Sequence, residues 1–198
     1  MGKSREAGIL LHPTSLPSPY GIGDLGKESY LFLEFLKDCN LNIWQVLPIG
    51  PVGYGNSPYQ SYSAFAGEPL LISIELLTEE GLLPESVLID YPCLDINKID
   101  FSKVNLLKSK LFYKAFERFS KLPKSNDYLI FLEKNKLWLN NYALFMSAKD
   151  YFKGSPWNQW DESLTLRTPQ GIDHYSNLLK EKIEYHIFLQ YKFFQQWK

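Results

Sequence analysis

Apolar and polar positions alternate in blocks along this chain, and the blocks carry two different periods. Residues 8–12, GILLH, form a short continuous apolar run with prolines just beyond it, which predicts a buried strand. Residues 27–40, KESYLFLEFLKDCN, change to helical spacing. Tyr30, Phe32, Leu33, Phe35, Leu36 and Cys39 would fill one broad face there. Residues 42–48, NIWQVLP, predict a second strand closed by Pro48. Strand, loop, helix and strand at this spacing predict a βαβ unit with parallel strands and a right-handed crossover.

Beyond residue 67 the pattern is helical. Leu107, Leu111, Ala115, Phe119 and Leu122 make one stripe over residues 104–122. Residues 128–152 predict one or two further helices, and residues 174–198 one long final helix. The stretch between them, GSPWNQWDESLTLRTP, reads as irregular. In the final helix Tyr185, Phe188, Leu189, Tyr191, Phe193, Phe194 and Trp197 cover most of the circumference. Such a helix expects neighbours on several sides, and a lone chain is expected to leave aromatics exposed there. The segments group as 1–67 (two strands, a helix and a loop), 68–170 (mainly helical) and 171–198 (the last helix).

The loop after the second strand is chemically unusual. GYGNSPYQSYSAFAG, residues 53–67, contains three tyrosines, a phenylalanine, amides, hydroxyls and no charge. In α/β folds the loops beyond the C-terminal ends of the strands carry the site. A sugar ring presents C–H faces and a hydroxyl rim. Aromatic rings cover the first, and amides and hydroxyls satisfy the second. Tyr54, Tyr59 and Tyr62 supply rings, and Asn56, Ser57, Gln60 and Ser61 supply polar partners. Gly53 and Gly55 allow close backbone approach. The competing reading is a buried turn that packs its own tyrosines.

Composition narrows the alternatives. Of 198 residues, 45% are hydrophobic and 22% charged, which suits a core-forming chain rather than a disordered one. Basic and acidic residues nearly cancel at a net charge of −1, so no basic field is available for a nucleic-acid backbone. Aromatics reach 16%, enough to serve both a core and a wet binding surface. The apolar run near the start is too short for a signal peptide or a membrane span. Met1-Gly2 lacks the Ser or Thr at position 6 that myristoylation needs, because Glu6 stands there. Cys39 and Cys93 lack metal-ligand spacing and read as thiols of a reducing compartment, so the expected location is the cytoplasm.

Other motifs carry weaker signals. Gly21-Ile22-Gly23-Asp24-Leu25-Gly26 matches G-x-G-x-x-G, but it is separated from the first strand by a proline-rich loop. It reads as a turn in which Asp24 or a neighbour caps the next helix, not as a dinucleotide site. His12, His174 and His186 have no second ligand at helical spacing, so no metal is expected. His12, at a strand end, reads as a hydrogen-bonded structural residue. Asp161 and Glu162 are adjacent acids and point in different directions. Glycoside chemistry needs two carboxylates across the bond, about 5–9 Å apart, so these read as a cap or a solvated pair.

Three long segments, GILLHPTSLPSPYGIGDLG, WQVLPIGPVGYGNSPYQSYSAFAGEPLLI and YALFMSAKDYFKGSPWNQW, resemble the N-terminal part of the amylomaltases, the bacterial 4-α-glucanotransferases or disproportionating enzymes. The resemblance runs from about residue 7 to residue 198. It implies an α/β fold, the first part of a (β/α)8 TIM barrel related to the α-amylases, with a helical insertion. It implies transfer of α-1,4-glucan segments between maltooligosaccharides, with retention, through a covalent glycosyl-enzyme, and no metal or organic cofactor. It implies that Tyr59 stacks on the glucose beside the scissile bond, that Ser57 hydrogen-bonds the glucan, and that Tyr54 makes a more distant contact. Asn56 and Gln60 are added from their chemistry and position. Glu68 stands where that family more usually has an amide or aspartate, a departure read as harmless.

The family's nucleophile, acid/base and third acid come from later strands. A complete barrel takes about 250 residues before insertions. The expectation is therefore an incomplete barrel, an N-terminal fragment with no catalytic carboxylate of its own, inactive alone, whose partners are α-1,4-glucans and the C-terminal half of the enzyme. The alternative from another class is a non-catalytic glucan-binding module.

Overall fold

A computed structural model describes residues 5–95 and 97–198. β1 (Gly8–Leu10) and β2 (Ile43–Gln45) pair in parallel, Gly8 with Ile43, Ile9 with Trp44 and Leu10 with Gln45. α1 (Lys27–Asp38) connects them, completing the βαβ unit. Bonds from Asn42 N–H to the Ala7 carbonyl (3.1 Å) and from Leu11 N–H to the Gln45 carbonyl (3.0 Å) extend the ladder at both ends. The Trp44 indole N–H donates to the Leu11 carbonyl at 2.7 Å. Its ring meets Phe32 of α1 edge-on, with centroids 4.9 Å apart.

The strands are shorter than the apolar runs and less buried than the runs predict. Leu10 and Ile43 are exposed, as are Tyr30, Leu33 and Phe35 of α1. In a two-stranded sheet both strands are edges, so half of each apolar set has no layer to pack against. Gly8 is required by close approach: a Cβ there would overlap the Ile43 carbonyl oxygen. Gly8→Val is expected to cost about 1–3 kcal/mol, measured as a lowered denaturation midpoint. An unchanged midpoint would show that the strands separate freely.

The remaining elements are helical: α2 (Ile74–Glu79), α3 (Ser86–Asp90), α4 (Phe101–Ser120), α5 (Asn126–Asn135), α6 (Leu139–Tyr151), α7 (Glu162–Thr165), α8 (Pro169–Leu178) and α9 (Lys180–Gln196). Side-chain caps set the starts of several of them. Asp100 accepts the Lys103 N–H at 3.0 Å, so α4 begins three residues before the apolar stripe suggests. Thr168 accepts the Gly171 N–H at 3.1 Å ahead of Pro169, and this starts α8 inside the stretch that reads as irregular. The predicted single final helix is therefore two. The interruption falls at Leu179, which is buried with Leu144, Ala148, Leu164 and Tyr175. No glycine or proline marks it in the sequence.

Two compact units share the chain. One comprises residues up to Leu122 with Lys192–Lys198, the other Pro123–Tyr191. In the first, Ile22, Leu70 and Val104 form a core patch flanked by Leu94, Ile99 and Phe101. The Gln196 amide oxygen accepts the Ser73 N–H at 2.7 Å, and Lys192 pairs with Glu80. In the second, the Leu144–Leu179 cluster is closed by Phe152 and Trp160, whose rings stack 5.6 Å apart. The expectation of exposed aromatics on the last helix holds only for Trp197: Phe188, Tyr191 and Phe193 are buried and Tyr185 and Phe194 partly buried.

Candidate functional site

The uncharged loop after β2 folds into a narrow arch. Val52 and Ser61 form an antiparallel bridge. The Gly53 N–H donates to the Gln60 carbonyl at 2.7 Å and the Tyr62 N–H to the Pro51 carbonyl at 3.1 Å. Between these legs, Tyr54–Asn56 make one tight turn. Gly55 at φ 81° and Asn56 at φ 54° adopt left-handed backbone, the conformation glycine enters without penalty and asparagine tolerates best. The serines bond inward to the backbone. Ser61 Oγ donates to the Ser63 carbonyl at 2.8 Å, and Ser63 Oγ accepts the Phe65 and Ala66 N–H groups at 3.1 Å each.

The arch displays its rings. Tyr59 is 73% exposed and Phe65 66% exposed, and Tyr62 is also exposed. Ser57 is half-buried, and its hydroxyl accepts the Tyr59 N–H at 3.4 Å. Asn56 and Gln60 are exposed. The side chain of Tyr54 lies outside the described residues. Beside the arch lies a cavity of about 250 Å3. Its lining comes from segments just past β1 (His12, Thr14, Ser15) and past β2 (residues 47–50), with Asn56, Pro58, Glu68 and Phe101. Of the five residues proposed from sequence for sugar contact, Asn56 lines this cavity, and Tyr59, Ser57 and Gln60 stand on the arch beside it.

Two polar groups of the wall, His12 and Glu68, and a buried lysine bonded to the Leu70 carbonyl were not singled out for binding by the sequence. His12 caps the turn that follows β1, with Nδ1 2.7 Å from Thr14 Oγ1. Burial lowers its pKa, an effect the neighbouring Pro48 carbonyl partly offsets. His12 Nε2 is buried without a hydrogen bond among the described residues. Glu68 is buried, and both of its oxygens are engaged. Oε2 accepts the Val52 N–H at 2.8 Å and Oε1 the Leu70 N–H at 3.0 Å. Burial pushes this carboxyl up, opposed by those two N–H groups and by the charge of Lys108. Lys108 of α4 is fully buried. It donates to Asp24 Oδ2 at 3.2 Å and to the Leu70 carbonyl at 2.7 Å. Burial pulls its ammonium down, opposed by Asp24 and Glu68. A signal for Glu68 was present: from Cys39 to Gly67 the chain carries no charged side chain, and Glu68 ends that run.

The weaker motifs take structural places. Asp24 Oδ1 accepts the Gly26 N–H at 3.0 Å just before α1, in the G-x-G-x-x-G turn. Asp161 caps α7, accepting the Ser163 N–H at 2.9 Å, and the Ser163 hydroxyl and N–H hold its carboxyl below the usual range. Cys39 and Cys93 are exposed thiols. Among the described residues no helix is long and apolar enough to cross a membrane.

A family model described as 4-alpha-glucanotransferase matches residues 11–198. This chain belongs to the 4-alpha-glucanotransferase family. Within it, the chain is 43% identical over 197 residues to the 4-alpha-glucanotransferase of Synechocystis sp. and 45% identical over 196 residues to that of Aquifex aeolicus. Each alignment covers 98% of this chain and 39% of the relative, so the chain spans about two-fifths of the length of these curated 4-alpha-glucanotransferases. A solved amylomaltase from Streptococcus agalactiae, in complex with acarbose, superposes with a TM-score of 0.91 at 34% identity. The match covers 98% of this chain and 40% of that one. An amylomaltase from Corynebacterium glutamicum, at 13% identity and TM-score 0.69, shares the fold.

Proposed function

We propose that this chain forms one wall of the glucan-binding cleft of a 4-α-glucanotransferase. The enzyme would move an α-1,4-linked segment from one maltooligosaccharide to another. One observation carries the reading: an arch with exposed rings and neutral polar groups stands beside a cavity at the C-terminal ends of two parallel strands. Tyr59 would stack on a glucosyl face, and Ser57, Asn56, Gln60 and Tyr54 would meet hydroxyls or further rings along the chain. β1 and β2 would be the first strands of a TIM barrel, and the helices after the arch its insertion.

Retaining transfer needs one carboxylate to displace the leaving sugar at the anomeric carbon. A second carboxyl protonates the departing oxygen and later takes the proton of the acceptor hydroxyl. Among the described residues lining the cavity, Glu68 is the one carboxylate, and two backbone N–H groups already occupy its oxygens. We assign the reacting carboxylates to sequence outside these 198 residues, so this stretch is expected to bind without transferring. The exposed thiols fit a cytoplasmic setting.

The test takes the 198-residue polypeptide alone and measures two things. Maltoheptaose should give a saturable calorimetric heat, and maltotriose should release no glucose above the blank. Glucose release would overturn the division of labour, and no heat would overturn the site.

A further inference from the structure

The rings that would meet a glucan sit on a slender, exposed arch, and such a segment needs something rigid at its base to hold one position. The structure supplies a single side chain at both roots. Val52 opens the arch and Leu70 lies just past its far end, and the Glu68 carboxylate accepts an N–H from each, at 2.8 and 3.0 Å. The Glu68 N–H donates to the Ile49 carbonyl at 2.8 Å, so the same residue is tied to the segment after β2 on its backbone side as well. Behind it lies Lys108, fully buried on α4, which donates to the Leu70 carbonyl and to Asp24 in the β1–α1 connection. Glu68 thus ties both roots of the arch and the segment after β2, and Lys108 ties Leu70 to the β1–α1 connection.

We propose that Glu68 is a positioning residue for glucan binding: through its paired bonds to Val52 and Leu70 it fixes the arch so that Tyr59 is presented before the sugar arrives. This rests on the glucan-binding reading above. In this chain both roots bond to the two oxygens of one carboxylate. An amide has one acceptor and would turn its NH2 toward the other N–H, leaving a buried donor facing a donor. An aspartate keeps the charge but is one methylene shorter, so it reaches both N–H groups less well. The residue read from sequence as a harmless departure is, on this geometry, a fitted anchor. A loosened arch spends less time in the binding conformation, and apparent affinity falls in proportion to that fraction.

The experiment compares wild type, Glu68→Gln and Glu68→Asp in the protein as the gene encodes it, by maltoheptaose calorimetry and amide hydrogen exchange. Both variants are expected to raise the dissociation constant about tenfold. Exchange at Val52, Gly53 and Tyr62 should quicken while the amides of α4 keep their protection. If glucan transfer is assayed, KM should rise and kcat stay within about twofold. Unchanged affinity in both variants, with wild type binding, overturns the proposal and leaves the glucan reading standing. Uniform loss of protection across α4 in both variants also overturns it, since that shows a general structural role. A wild-type protein that binds no maltoheptaose overturns the glucan reading and this proposal with it.

Discussion

Alanine at Tyr59 is expected to weaken maltoheptaose binding by about tenfold to a hundredfold and to leave the thermal midpoint where it was. The two halves of that result have separate causes. Tyr59 is 73% exposed, so the folded protein gains little from its ring, and surface changes of this kind stay within about 0.5 kcal/mol. A glucosyl face laid on the ring removes apolar area from water, and burying an aromatic side chain is worth about 1.5–3 kcal/mol. At about 1.4 kcal/mol per decade this is the stated loss of affinity. Tyr59→Phe keeps the ring and should retain most of the binding. Equal calorimetric heats for wild type and Tyr59→Ala would remove Tyr59 from the site, whatever the rest of the arch does.

Methionine at Lys108 is expected to act in the opposite way, through stability first. The ammonium is fully buried between Asp24, the Leu70 carbonyl and the nearby Glu68. Removing one partner of a buried pair leaves an uncompensated charge and costs about 3–5 kcal/mol. In a chain of this size that amounts to a midpoint fall of about 10 °C. Lys108→Met combined with Asp24→Asn should recover much of it, because replacing both partners with neutral groups removes the stranded charge. Scanning calorimetry of the two singles and the double closes the cycle. If Lys108→Met alone melts with wild type, the buried pair contributes nothing to folding.

Local signals were sufficient for several parts of this protein. The βαβ unit followed from two apolar runs around a helical stretch, and the parallel pairing of Gly8 with Ile43 agrees with it. The arch was visible as a chemical anomaly, because rings, amides and serines without charge are rare over such a length. Asp161 and Glu162 read as a cap or a solvated pair because adjacent acids cannot face each other across a bond, and Asp161 is the cap of α7. The helix starts at Phe101 and Pro169 were readable in principle from Asp100 and from Thr168-Pro169, although the apolar stripes pointed elsewhere.

Other features had no local signal. The break at Leu179 depends on a cluster assembled from α6, α7 and α8. The burial of Phe188, Tyr191 and Phe193 depends on what surrounds α9, which helical periodicity cannot report. Glu68, Asp24 and Lys108 lie far apart in sequence, and nothing in the spacing of a lysine on an amphipathic helix says that it is buried with two carboxylates nearby. The chain by itself showed the βαβ unit and the uncharged aromatic loop, because period, turn chemistry and side-chain type are properties of neighbours along the backbone, and long segments resembling the amylomaltases pointed to the family. Tertiary structure alone decided which rings stay in water and which charge anchors the arch, because burial and ion pairing depend on groups that meet only after the chain has folded.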